Sequence, residues 1–136
     1  EGVTFRGPTP HHDIMAQLRR SFALLHPSRL EACSMSIGEA MSVGLPVIAG
    51  HRTGGVQWQL DEGRAGVLVD IEDAQAMADA VRALGREPAR WGAISQAARA
   101  RARQLFSLDP IVDQYCALYR QILQDAPVPQ AAAAAA

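Results

Sequence analysis

The sequence predicts an α/β protein, a Rossmann-like parallel sheet flanked by helices, and two observations carry that expectation. Short apolar runs at residues 3–5, 23–26, 46–49 and 67–69 recur along the chain, and the first three are closed by glycine or proline, as buried strands are. The segments around them place apolar residues at helical spacing, and short apolar strands alternating with amphipathic helices describe a parallel sheet covered on both faces. Length and composition agree. The 136 residues suffice for one ordinary domain with a real core, at 49% hydrophobic and 20% charged residues and a formal net charge of -1. Such a balance provides no field for a polyanion, so nucleic acid is not an expected partner.

The elements follow in order. Residues 3–5 are β-prone and stop at Gly7-Pro8; Thr9-Pro10 then offers an N-cap and a first-turn proline for a helix with Ile14, Met15, Leu18 and Phe22 on one side. The run 23–26 is short enough to be a buried strand and ends at Pro27. A polar loop leads into a second helix through Met41 and Val43, closed by Gly44, before the strand at 46–49. A glycine-marked loop follows, with at most one helical turn around residues 56–60, and then the strand at 67–69. Helices dominate afterwards. Asp73 caps one with Ala76, Met77, Ala80, Val81 and Leu84; Pro88 opens another with Trp91, Ile94, Ala98, Leu105 and Phe106; Asp109-Pro110 starts the last, with Ile111, Val112, Tyr115, Leu118, Tyr119 and Ile122 at helical spacing.

The stretch 27–50, PSRLEACSMSIGEAMSVGLPVIAG, is the candidate site. Glu31 and Glu39 bracket seven residues, ACSMSIG, that read as a tight loop entering a helix. A helix beginning at residues 34–36 aims unpaired N–H groups and a positive dipole end outward, a place suited to phosphate. Acids beside a phosphate repel it, so the two carboxylates are better placed as acceptors for hydroxyl groups on either side, as in a sugar or a ribose. Phosphate flanked by hydroxyl-rich rings describes a nucleotide sugar. The competing structural account is a capping box, in which Ser36 and Glu39 satisfy each other's backbone donors at a helix start. Gly38 leans toward function, because glycine weakens a short helix and suggests a close approach. In open α/β sheets ligands sit beyond the carboxyl ends of the strands, where residues 27–39, 50–55 and Gly7 all fall.

Read together, Pro27-Ser28, Glu31, Glu39-Ala40, Gly44 and Pro46-Val47 resemble the signature of the retaining group 1 glycosyltransferases of GT-B fold, which use nucleotide-activated sugars. The flanks are similar too: Val3, Phe5 and Gly7 upstream, and Gly54-Gly55, Gly63 and Gly66-Val-Leu-Val69 downstream, in the same order and spacing. The resemblance covers residues 2–123 and only the later part of the family's length. It implies a partial C-terminal, donor-binding domain over residues 2–124. By the same resemblance, Glu31 contacts the transferred sugar and is the catalytic candidate, Glu39 holds the ribose hydroxyls, the backbone of Ser34, Met35 and Ser36 holds the pyrophosphate, and Arg6 and Gly7 lie by the base. The implied partners are a UDP-, GDP- or ADP-hexose and an N-terminal acceptor domain. The family's leaving-group cations lie upstream of the matched region, so the piece alone is expected to be inactive. Its strand order, 3-2-1-4-5-6, makes 3–5 the third strand and the other three the fourth to sixth. Residues 3–5 then lack their neighbours and are expected to pair with 23–26 or to drive self-association.

Two departures stand out. Ser34 replaces a common glycine, and Trp58 replaces a common glutamate, either as a sugar-stacking surface or as core filler. Arg99, Arg101 and Arg103 alternate with alanines around a helix, a pattern of a solvated face. Three other classes stay open. A phosphoacceptor receiver domain shares the layout but needs an aspartate cluster and a lysine at the strand ends; a GT-B sugar epimerase or phosphorylase shares the fold; a binding module retains the fold without the chemistry.

Nothing in the sequence calls for a metal or a cofactor. The histidines, His11, His12, His26 and His51, lack the company of a zinc site and read as ordinary polar residues. Cys33 and Cys116 are too few for a disulfide framework, which points to reduced thiols and the cytoplasm. No stretch has the length of a membrane span, and the first residues lack the pattern of a signal peptide. The absent initiating methionine and a start on a core-like strand suggest a piece of something longer. Residues 125–136 form a Pro/Ala tail, expected to be disordered or an appended scar.

Overall fold

The computed structural model describes residues 2–125; of the tail expected over residues 125–136, Asp125 closes the last helix and the rest lies outside the described residues. The first helix, α1 (His11–Arg20), precedes strand β1 (Leu24–His26), helix α2 (Met35–Ser42) and strand β2 (Val47–Gly50). A short helix α3 (Val56–Gln59) and a 3-10 turn (Asp61–Gly63) lead to strand β3 (Val67–Val69), and helices α4 (Ala74–Arg86), α5 (Pro88–Phe106) and α6 (Leu108–Asp125) complete the order.

The sheet is parallel throughout, in the order β1-β2-β3, with Leu25 opposite Ile48 and Ala49 opposite Leu68. Three adjacent parallel strands in chain order are what the resemblance implies for the last three of its sheet. Central strand β2 is buried at every residue, and its alternation splits the core in two. Val47 and Ala49 join Ile37, Ala40 and Met41 of α2, Val56 of α3, and Ala98 and Ala102 of α5 on one face; Ile48 meets Leu84 of α4 and Ile94 of α5 on the other. Helix α5 therefore contributes its first turns to one face and its middle to the other. The two-sided cover expected of a parallel sheet is present.

The helix ends follow local chemistry. Asp73 caps α4, accepting from Gln75 N at 2.8 Å and Ala76 N at 3.2 Å. At the end of α2, Gly44 has φ +72, with Gly44 N bonded to the Met41 carbonyl and Leu45 N to the Ala40 carbonyl, the paired bonds of a Schellman motif. Buried Ser95 of α5 donates to the Gly44 carbonyl at 2.6 Å and locks that end in place.

Five sequence expectations are corrected by the structure. Residues 3–5 form no strand: Val3 and Phe5 are 78% and 95% exposed, and β1 pairs with β2 alone. A strand is made by its neighbours, and no partner edge reaches these residues. Thr9 does not cap α1; its hydroxyl donates to the Gly7 carbonyl at 3.1 Å, and Pro10 occupies the cap position. The last helix opens at Leu108, before Asp109. The arginines of α5 are not a uniform solvated face, because Arg101 lies 5.3 Å over the Trp58 ring and donates to the Trp58 carbonyl at 2.7 Å. That places Trp58, half exposed under an arginine, outside both the filler and the open stacking descriptions.

Candidate functional site

Helix α2 starts at the carboxyl end of β1, after the loop 27–34 that carries Glu31. Its cap is Ser34, whose Oγ accepts from Ile37 N at 3.5 Å. The capping box between Ser36 and Glu39 is thereby excluded: Ser36 lies inside the helix, and Glu39 sits one turn on, with its carboxylate against His11 at 2.9 Å. Glu39 is free of a capping duty. Gly38 does mark a close approach, but of a side chain, since a Cβ there would come within 3.3 Å of the Phe106 ring.

The loop after β2 holds this start rigidly. Gly55 N donates to the Glu31 carbonyl at 2.9 Å and Thr53 Oγ1 donates to the Ser28 carbonyl at 3.1 Å. A Cβ at Gly54 would collide with the Glu31 carbonyl, and one at Gly55 with the Ala32 carbonyl. The glycine pair therefore lets two backbones touch, and the carboxylate loop rests on it. Gln59, fully buried, completes the brace: its Oε1 accepts from Ser34 N at 3.0 Å and its Nε2 donates to the Ser34 carbonyl at 2.8 Å.

This bracing redistributes the donors at the helix start. Ser34 N is spent on Gln59, and Ile37 N on the Ser34 hydroxyl. Among the described residues no protein acceptor meets the N–H groups of Met35 and Ser36, so these two, with the positive end of α2, are the donors open to an anion. The sequence expectation of three backbone donors narrows to two. Glu31 and Glu39, each partly exposed at 28% and 22% of its side chain, lie before and after them. A shallow depression of about 300 Å³ runs along α2 past Cys33, Met35, Gly38, Glu39 and Phe106.

Arg6 and Gly7 are not brought into this group. Arg6 lines a separate groove along α1 with Thr9, Asp13, Gln17 and Arg20, and Gly7, at φ +63, is tied to Thr9. A second cleft of about 280 Å³ lies at the ends of β2 and β3, between Arg29, His51, Arg52, Asp70 and Glu72. Its arginines are already matched, Arg29 with Glu72 at 3.4 Å and Arg52 with Asp70 at 3.3 Å, and neither candidate glutamate reaches it. The structure adds residues that sequence reasoning missed. His26, read as an ordinary polar residue, lies 3.1 Å from the Glu31 carboxylate, and His11 lies beside Glu39. The position of His26 at a strand end facing a glutamate five residues later was the only available signal.

Comparison with known proteins places this geometry in context. The family model for glycosyl transferases group 1 matches residues 1–101. A D-inositol 3-phosphate glycosyltransferase 1 of Catenulispora acidiphila is 33% identical over 124 residues, covering 91% of this chain and 29% of that protein. Among solved structures, sucrose-phosphate synthase of Thermosynechococcus elongatus superposes with a TM-score of 0.78 at 31% identity, over 90% of this chain and 31% of the other. The Anabaena protein HepE, solved in complex with UDP, shares the fold with a TM-score of 0.71 at 24% identity, over 77% of this chain and 29% of that one. The chain thus spans under a third of the length of each protein it matches here. With a family model over most of its length and a relative aligned along nearly all of it, the chain belongs to the group 1 glycosyl transferases.

Proposed function

We propose that this chain is the donor-binding portion of a glycosyltransferase that moves a hexose from a nucleoside diphosphate sugar to an acceptor. The observation that carries the proposal is the pair of open N–H groups, Met35 and Ser36, at the start of α2 with a carboxylate on either side. The diphosphate docks on those donors and the helix dipole. Glu39 accepts from the ribose hydroxyls and Glu31 from hydroxyls of the transferred sugar, contacts that are short and charge-assisted. The names of relatives such as D-inositol 3-phosphate glycosyltransferase and alpha-D-kanosaminyltransferase support transfer over the epimerase, phosphorylase and non-catalytic alternatives. Base recognition by Arg6 and Gly7 rests on the resemblance of residues 3–7 alone. The acceptor and the cations that neutralise the leaving diphosphate belong, on this proposal, to an N-terminal domain of a longer parent.

Both cysteines are free thiols, and among the described residues no helix is long and apolar enough to cross a membrane. On the free thiols alone we propose the reducing cytoplasm for the parent. Calorimetric titration of the parent-length protein with UDP-, GDP- and ADP-hexoses tests the function. One of them binds, and Glu39→Ala weakens it by roughly 1.5–3 kcal/mol, the value of hydrogen bonds to a charged group. Unaltered donor affinity in Glu39→Ala, or no binding of any of the three by the wild type, refutes the assignment.

A further inference from the structure

One side chain near the proposed donor site has both of its polar atoms engaged and makes none of the proposed donor contacts. His26 ends β1, and its side chain is only 14% exposed. Its Nε2 lies 3.1 Å from Glu31 Oε1, and its Nδ1 lies 3.4 Å from Ser36 Oγ. Ser36 Oγ is in turn 3.0 Å from Ser34 Oγ, which accepts from Ile37 N. The polarity of this chain is set at its two ends. Ile37 N–H can only donate, and an ionised carboxylate can only accept. A bare Nε2 lone pair facing the carboxylate would be repulsive, so in the neutral ring the proton resides on Nε2 and donates to Glu31. Nδ1 then accepts from the Ser36 hydroxyl, and Ser36 Oγ accepts from Ser34. Every hydrogen points the same way, from the start of α2 to the acid.

We propose that His26 is a positioning residue for Glu31: it fixes one carboxylate oxygen and turns the other toward the transferred sugar, in register with the start of α2 where the diphosphate docks. The inference rests on the proposed donor site and deepens it. Aligned hydrogen bonds of this kind polarise one another and hold an acid in one rotamer, and a carboxylate left to rotate would meet the sugar in many poses. A second consequence concerns the serines. Their hydroxyl hydrogens are consumed inside the chain, so neither hydroxyl is left to donate to phosphate.

The test is a double-mutant cycle in the parent-length protein, read as turnover and, separately, as affinity for the bare nucleoside diphosphate. His26→Phe fills the space without the donor; His26→Gln keeps an N–H. His26→Phe is expected to lower kcat on the order of 10²-fold, the cost of a misplaced catalytic group, with diphosphate affinity held within about threefold. His26→Gln recovers a large part of the loss. Glu31→Gln alone and Glu31→Gln with His26→Phe give the same kcat, because the histidine acts only through the acid. A full-rate His26→Phe, multiplicative losses in the double variant, or equal losses of diphosphate affinity overturn the inference. Long-range 1H–15N spectra of the present chain supply a second arm that needs neither turnover nor a folded variant. The Nε2-protonated tautomer supports the inference and the Nδ1 tautomer overturns it. A wild type that binds no nucleotide sugar while keeping the Nε2 tautomer instead sinks the functional proposal and leaves the His26–Glu31 link standing.

Discussion

Gln59 fixes the start of α2 from 25 residues away, and nothing in its local sequence announces it. Its neighbours Trp58 and Leu60 suggest a short amphipathic turn, and the amide's partners become visible only in three dimensions. Replacing it with leucine strips both groups of Ser34 of a buried partner, and we expect a loss of about 1–3 kcal/mol in chemical denaturation. Unaltered stability would show that water or a rearranged loop replaces the amide. The two glutamates were legible because their spacing is local, but their division of labour is testable only separately. Glu31→Gln in the parent protein should depress turnover far more than affinity for the bare nucleoside diphosphate, whereas Glu39→Ala should weaken both nucleotide and nucleotide-sugar binding. Equal losses of diphosphate affinity would contradict that division. The two histidines beside these acids stayed hidden, since an isolated histidine carries no positional signal until a fold supplies its neighbour.

At the scale of elements, the caps and breaks were legible and the pairings were not. Asp73, Pro88 and Gly44 mark helix ends by chemistry confined to a few residues, and each does so in the structure. Residues 3–5 have the composition of a strand, but a strand requires a partner edge that composition cannot supply. Gly54 and Gly55 signal a loop, while their use, backbone against backbone with Glu31 and Ala32, is a tertiary fact. Gly55→Ala is therefore expected to cost well over the roughly 1 kcal/mol of an ordinary glycine effect and to displace the carboxylate loop; a thermal midpoint equal to wild type would refute the contact. On α4, the Gln75 amide and then Arg82 hold the Asp79 carboxyl below its ordinary range. A depressed carboxyl stabilises the fold above its unfolded value, and that contribution is lost as pH falls through the folded one. Asp79→Asn should accordingly narrow the stability difference between neutral pH and about pH 3 by a small amount, as befits an exposed group. A wider difference would contradict a depressed Asp79 carboxyl.

Among the described residues, several large apolar side chains stay uncovered. On α6, Val112, Tyr115, Leu118, Tyr119 and Ile122 are between 45% and 58% exposed, and on edge strand β1 Leu25 is 43% exposed. With these surfaces open, the isolated chain is expected to associate with a second copy at micromolar concentration, and a clean monomer in sedimentation would contradict that. On the proposed function, a nucleoside diphosphate sugar docks at the start of α2 between Glu31 and Glu39, and not in the arginine-lined cleft at the ends of β2 and β3. Amide chemical-shift mapping with UDP-, GDP- and ADP-hexoses tests it most directly. One of the three is expected to shift the Met35 and Ser36 amides saturably, and Glu39→Ala to raise the half-saturating concentration roughly ten- to a hundredfold. Saturable shifts confined to Arg29, His51, Arg52 and Glu72, or Met35 and Ser36 amides unmoved by all three, would contradict it.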